Sequence, residues 1–220
     1  MRVLVADPIA EEGISHLRQC ASVDVKTKLS PEELCREIPD YDALVVRSQT
    51  RVTADIIERG ANLKVIGRAG VGVDNIDVDA ATRCGIVVVN APSGNTVSAA
   101  EHTMALMLAL ARNIPVADAD MRKGSWSRNK LMGSELRGKT LGIVGLGNIG
   151  SQVALRAQSF EMRTIAYDPF IPADYARSFK VALVTLQELL MQSDFITLHI
   201  PLSQATRNLI GRAELELMKP

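Results

Sequence analysis

Six residues constrain this chain more than any others. Gly145-Leu146-Gly147-Asn148-Ile149-Gly150 follows the apolar run Leu141-Gly142-Ile143-Val144 and precedes a helix pattern over 151–160. A GxGxxG spacing alone is weak, because paired glycines are common in turns; between a strand and a helix it predicts a dinucleotide-binding turn. Each glycine then has its own task. Gly145 permits the tight turn, Gly147 lets the backbone approach a pyrophosphate with no Cβ in the way, and Gly150 lets helix and strand pack closely. Unpaired N–H groups and the positive end of the helix dipole attract the phosphates. The next strand ends at Tyr167-Asp168, and Asp168 stands eighteen residues beyond Gly150, close to the spacing of a ribose-binding acid. A carboxylate there accepts hydrogen bonds from ribose hydroxyls and repels a 2′-phosphate, and Pro169-Phe170 brings no arginine to neutralise one. The expected cofactor is NAD rather than NADP.

Upstream, short apolar runs at 3–6, 23–25, 43–46, 65–67 and 86–89 read as buried strands,. Helix patterns separate them. Ser30-Pro31-Glu32-Glu33 forms a capping box, Thr53 can cap the next helix, and Gly60 is placed to end it in the left-handed conformation,. Strands alternating with helices predict an α/β domain with a parallel sheet. A long helix is expected from about Ser98, with Ser98-Ala99-Ala100-Glu101 as a second capping box,. Met104, Leu106, Met107, Leu108, Leu110 and Ala111 make it apolar nearly all round. Such a helix needs cover on every side, which predicts burial between layers or subunits and hence a homo-oligomer, a dimer or a tetramer. The expected domains are 1–97 and 98–220. Strands at 140–144, 164–167 and 195–199 would give the second domain an incomplete doubly wound sheet, cut after its third strand,. The strand carrying the glycine loop would then be an open edge, and the chain by itself would be marginal or aggregation-prone.

Composition narrows the partners. Twenty-five basic residues balance twenty-five acidic ones among 220, so net charge argues for neither nucleic acid nor an anionic membrane. The first apolar run, four residues long, is too short for a signal peptide,. Cys20, Cys35 and Cys84 lack metal-ligand or disulfide spacing and read as buried or half-buried thiols in a reducing compartment, the cytoplasm,.

A second glycine loop follows the strand at 65–67: Gly67-Arg68-Ala69-Gly70-Val71-Gly72-Val73-Asp74-Asn75. It lacks a third glycine and a following acid, so it suits a smaller anion such as a carboxylate, with Arg68 as a fixed charge. The local residues also allow a plain tight turn with Arg68 in solvent. Val-Val-Arg-Ser at 45–48, the loop at 67–75, Val-Asn-Ala-Pro at 89–92, Ser-Ala-Ala-Glu at 98–101, the loop at 145–150 and Thr-Leu-His-Ile-Pro-Leu at 197–202 together resemble the D-2-hydroxyacid dehydrogenases. Arg47-Ser48, Lys123-Gly124, Trp126 and Arg128 are most similar to the branch that acts on 3-phosphoglycerate.

The resemblance implies a flavodoxin-like substrate domain followed by a Rossmann NAD-binding domain, and it implies site residues. Arg47 and Ser48 would face the substrate cleft. Arg68 and Arg128 would meet the phosphate or carboxylate of a phosphorylated 2-hydroxy acid, and the Gly70-Val71 backbone would hold the carboxylate. Val71 would also lie near the nicotinamide. Gly145, Gly147, Asn148, Ile149, Gly150, Asp168, Ile200 and Pro201 would contact NAD. Arginine suits a doubly anionic substrate because its planar fork binds an oxyanion through two parallel hydrogen bonds. Arg51, Arg59 and Arg83 read as solvated.

Oxidising a secondary alcohol requires a group to take the hydroxyl proton. In the family this is a His paired with a Glu and assisted by an Arg, which the resemblance places beyond residue 220. No catalytic residue is therefore assigned within the chain, and residues 1–220 alone are expected not to oxidise 3-phosphoglycerate. His16 reads as exposed, His102 as a first-turn helix residue and His199 as structural. Glyoxylate or hydroxypyruvate reduction, another D-2-hydroxyacid substrate, or a noncatalytic NAD-sensing corepressor on the same fold remain open alternatives.

Overall fold

The structure, a computed structural model, describes residues 1–126 and 128–220. They form two compact units, Met1–Asn95 and Thr96–Pro220.

The first unit is built on five parallel strands, β1 (Arg2–Val5), β2 (Ser22–Val25), β3 (Ala43–Val46), β4 (Val65–Arg68) and β5 (Val87–Asn90), in the order β2-β1-β3-β4-β5. This is the flavodoxin-like order. Between them run α1 (Glu11–Arg18), α2 (Pro31–Glu37), α3 (Ala54–Arg59) and α4 (Val78–Arg83). Alternation along β1 sends Leu4 to a core with Leu34, Ile38, Leu44, Ile56 and Ile66, and Val3 and Val5 to the opposite face beside Ala43. That period of two buries both faces of the central strands. β5 departs from the expectation of a buried strand: Val88 packs inward, while Val87 and Val89 are exposed because an edge strand has cover on one face only.

Ser30 forms the expected capping box with Glu33. Thr53 stands at the start of α3 but makes no side-chain cap. Gly60 ends that helix at φ −74°, not in the left-handed region: its amide bonds back to the Ile57 carbonyl and its own carbonyl accepts the Leu63 N–H at 2.9 Å, so the chain leaves through a turn that needs no positive φ at Gly60. Tyr41 is fully buried, and its hydroxyl donates to Asp24 Oδ2 at 2.8 Å beneath the Arg2 guanidinium. Burial, and then the neighbouring Asp24, push the Tyr41 hydroxyl above its ordinary pKa. Tyr41→Phe should lower stability by about 1 kcal/mol in urea denaturation, because Asp24 keeps Arg2 as a partner,.

In the second unit, α5 (Thr96–Ala111) is followed by α6 (Ile114–Arg122). Asn113 lies between them in the left-handed conformation at φ 53°. Ser98 lies inside α5, where helical backbone angles bar it from capping, so the second capping box does not form,. Burial of α5 is also one-sided. Ala100, Met104, Met107 and Ala111 are buried, whereas Leu106 and Leu110 are 58% and 73% exposed.

The strands are β6 (Thr140–Val144), β7 (Arg163–Tyr167), β8 (Ala182–Leu183) and β9 (Phe195–Leu198). The helices are α7 (Asn148–Ser159), α8 (Ala173–Ser178), α9 (Leu186–Gln192) and α10 (Arg212–Glu216). The sheet order β8-β7-β6-β9 corrects the expected topology. β8, two residues long, occupies the third position, so the strand at 195–198 is the fourth and pairs on the far side of β6. The glycine-loop strand is therefore central and wholly buried rather than an edge. Leu141 and Ile143 pack with Val153, Ala154 and Ala157 of α7 and with α5; Val144 packs on Ile165, Leu189 and Leu190.

Of the cysteines expected to be buried or half-buried, Cys35 is half-buried, whereas Cys20 and Cys84 are exposed. Among the described residues no helix is long and apolar enough to cross a membrane.

Candidate functional site

Gly145, Leu146 and Gly147 join β6 to α7. Gly145 lies at φ 91°, where an L side chain is strained, and an added Cβ would stand 2.7 Å from both the His199 carbonyl oxygen and Ile200 Cγ2,. At Gly150 a Cβ would overlap the Gly145 carbonyl, so α7 packs directly on the turn. Gly147 is different: its backbone is extended, and a Cβ there would meet nothing within 4 Å. The first and third glycines are thus required by protein contacts. The second leaves an open approach to the start of a twelve-residue helix.

Asp168 follows β7 and turns toward this loop. Its Oδ2 accepts the Leu146 N–H at 2.9 Å and its Oδ1 the Phe170 N–H at 2.9 Å. A carboxylate has about four acceptor positions, so both oxygens can accept further hydrogen bonds. Asn148 is exposed at the first turn of α7, and Ile149 is half-buried against the core. Ile200 is half-buried beside Gly145, and Pro201 is exposed. These two residues follow the fourth strand rather than the third. The loops after β6, β7 and β9 thus gather open space, helix amides and a carboxylate at one end of the sheet, which is the set a dinucleotide needs.

The first unit has its own cluster at the carboxyl ends of β3, β4 and β5. Arg68 Nε donates to the Arg47 carbonyl at 3.2 Å and to Asn75 Oδ1 at 3.1 Å. Asn75 Nδ2 donates to the carbonyls of Arg47 and Thr50 at 2.9 and 2.7 Å. Asn90 Nδ2 donates to the Val71 carbonyl at 2.5 Å, and the Ala91 N–H to the Gly70 carbonyl at 2.9 Å. An added Cβ at Gly70 would stand 2.6 Å from Arg68 Nη1, which places the guanidinium over that glycine. Arg47, Arg68, Gly70 and Val71 are thus brought together, with Ser48 exposed on the same loop. Asn75 and Asn90 complete this arrangement; their only signal in the sequence is a polar side chain near a glycine loop.

Arg128 belongs to the second unit, on the 3-10 turn Arg128–Lys130, with its guanidinium 5.1 Å from the Trp126 ring centre. The first unit's cluster forms without it. His16 and His102 are exposed, and His102 lies in the second turn of α5 rather than the first. His199 is half-buried, 2.9 Å from Thr197 Oγ1, and burial lowers its pKa from the ordinary value.

Known proteins show the same organisation. D-3-phosphoglycerate dehydrogenase of Archaeoglobus fulgidus is 56% identical over 220 residues, which is 100% of this chain and 42% of the relative. The enzyme of the same name from Methanocaldococcus jannaschii is 55% identical, again over 100% of this chain and 42% of the relative. The chain thus spans about two-fifths of the length of these relatives. The crystal structure of TT0316 protein from Thermus thermophilus matches with a TM-score of 0.90 at 35% identity, over 100% of this chain and 71% of that one. Residues 104–220 match the model for the NAD binding domain of D-isomer specific 2-hydroxyacid dehydrogenases. A glycine turn of this geometry, continuous with that match, makes the chain a member of the D-isomer specific 2-hydroxyacid dehydrogenase family, with a NAD-binding domain as its second unit.

Proposed function

We propose that this chain carries the NAD-binding and substrate-anion-binding parts of a D-3-phosphoglycerate dehydrogenase, which oxidises D-3-phosphoglycerate to 3-phosphohydroxypyruvate, a step toward L-serine. The observation that carries the reading is the Asp168 carboxylate hydrogen-bonded to the turn whose middle glycine stands open. NAD, when bound, supplies the hydride acceptor for the carbon bearing the hydroxyl. The amides opening α7 bind the pyrophosphate, with Gly145, Gly147 and Gly150 shaping the turn and Asn148 and Ile149 beside it. Asp168 holds the adenosine ribose, and Ile200-Pro201 line the same pocket.

In this reading the first unit is the substrate domain. Arg47, Ser48, Arg68 and the Gly70-Val71 backbone bind the carboxylate or phosphate. Two anionic groups on one small substrate favour several arginines over a single one. The exposed apolar side chains of α5, α6 and the following segment, including Leu110, Val116, Trp126 and Met132, support a homodimer or a higher oligomer,. Two exposed free thiols fit a reducing compartment such as the cytoplasm,.

Arg68→Ala tests the substrate reading. It should weaken binding of D-3-phosphoglycerate by about tenfold or more, the value of a charge-assisted hydrogen bond, and leave NAD affinity unchanged. Titration calorimetry with each ligand separately reads both. Unchanged affinity for the phosphorylated acid would exclude this cluster as its binding site.

A further inference from the structure

One buried carboxylate in the first unit plays no part in the contacts described so far. Asp7, just beyond β1, is 1% exposed. Its Oδ2 accepts the N–H groups of Arg47 at 2.6 Å and Gln49 at 3.2 Å. Its Oδ1 accepts the Thr50 N–H at 3.1 Å and the Thr50 hydroxyl at 2.7 Å. Every donor comes from residues 47–50, the loop that follows β3.

We propose that Asp7 is a positioning residue for the anion cluster: by gripping the backbone of residues 47–50 it sets, through Asn75, where the Arg68 guanidinium stands. The chain of contacts is continuous. Asp7 fixes the amides of Arg47 and Thr50; the carbonyls of the same two residues accept Asn75 Nδ2; Asn75 Oδ1 and the Arg47 carbonyl together accept Arg68 Nε. Among the described residues Arg68 is thus held through Nε, with its Nη1 over Gly70. A fork held at Nε keeps its terminal N–H groups aimed in one direction, which a bidentate oxyanion requires.

Four donors converging on Asp7 also explain why a carboxylate stands there. Asparagine would turn an NH₂ group toward amide donors and leave at least one of them unsatisfied. Burial opposes ionisation of Asp7, but the hydrogen bonds from Thr50, Arg47 and Gln49 outweigh it and hold the carboxyl below its ordinary pKa. The group is an anion whose acceptor positions face the loop.

The inference rests on the substrate reading of the same cluster, and a double-mutant cycle on the protein separates the two. D-3-phosphoglycerate is the probe, with inorganic phosphate as a second, and titration calorimetry reads affinity for Asp7→Asn, Arg68→Ala and the pair. Asp7→Asn should weaken probe binding about tenfold and leave NAD affinity unchanged. In the Arg68→Ala background it should add less than in the parent, because part of its effect passes through Arg68. Full additivity would show that Asp7 acts on the fold at large and would overturn the inference. So would an Asp7→Asn chain that binds the probe normally while Arg68→Ala does not; the substrate reading would survive that result. An Arg68→Ala chain with normal affinity would remove both. If Asp7→Asn does not fold, Thr50→Val removes one of the four donors and keeps the carboxylate; a loss of about threefold, again smaller beside Arg68→Ala, is expected. Unchanged affinity in Thr50→Val would then count against the grip.

Discussion

Gly145→Val should lower the unfolding temperature of the second unit by roughly 15 °C, while Gly147→Ala should unfold as the parent chain does and lose NAD affinity by ten- to a hundredfold. Two penalties combine at position 145. A β-branched residue at φ 91° is strained by about 1–3 kcal/mol,. Its Cβ would also collide with the His199 carbonyl and Ile200, a kind of overpacking that typically costs about 1–3 kcal/mol,. About 4 kcal/mol in a unit this small corresponds to the stated drop in temperature. At position 147 neither penalty exists, because the backbone is extended and the space is open. The added methyl would occupy the approach to the α7 amides, and hydrogen bonds from those amides to a charged phosphate are worth about 1.5–3 kcal/mol. Calorimetric melting and NAD titration on the two variants read both quantities. Equal NAD affinity in Gly147→Ala and the parent would show that the pyrophosphate does not approach there.

The second large effect is expected at Asp168. Asp168→Ala should weaken NAD binding by ten- to a hundredfold and shrink the preference for NAD over NADP by about a hundredfold. The first figure follows from losing a charged acceptor for the ribose hydroxyls. The second adds the removal of a negative charge that would stand against a 2′-phosphate. The Leu146 and Phe170 N–H groups lose their partner in the variant, and Leu146 is fully buried, so stability should also fall, by about 1–3 kcal/mol,. Titrations with both dinucleotides decide the matter. An unchanged ratio would mean that Asp168 serves only to shape the turn.

The parts of the molecule legible in the sequence are those written in local pattern. β3 and β6 were readable to the residue, and the other long strands to within one residue at either end, because short apolar runs flanked by turn residues have few other solutions,. The glycine turn was readable because the GxGxxG spacing stands between a strand pattern and a helix pattern; the protein's own contacts require Gly145 and Gly150, whereas a Cβ at Gly147 would meet nothing within 4 Å,. β8 was not: two residues carry no periodicity, and missing them moved β9 to the wrong side of β6. The one-sided burial of α5 was equally hidden, since Leu106 and Leu110 are as apolar as the buried Met104 and Met107. In the first unit, sequence resemblance indicated Arg47 and Arg68 but not the carboxylate beneath them. Asp7 lies forty residues before Arg47, and only the adjacency of β1 and β3 brings the two together.

The strand order of the second unit has a further implication. From β6 the chain winds outward through β7 to β8, then doubles back across its starting strand to lay down β9 on the other flank. Where a path reverses its winding, the turns leaving neighbouring strands are sent in opposing directions and leave a notch between them. The notch is thus a property of connectivity rather than of any side chain. Substitutions along its rim can change what it admits, but only a rewiring of the sheet would close it.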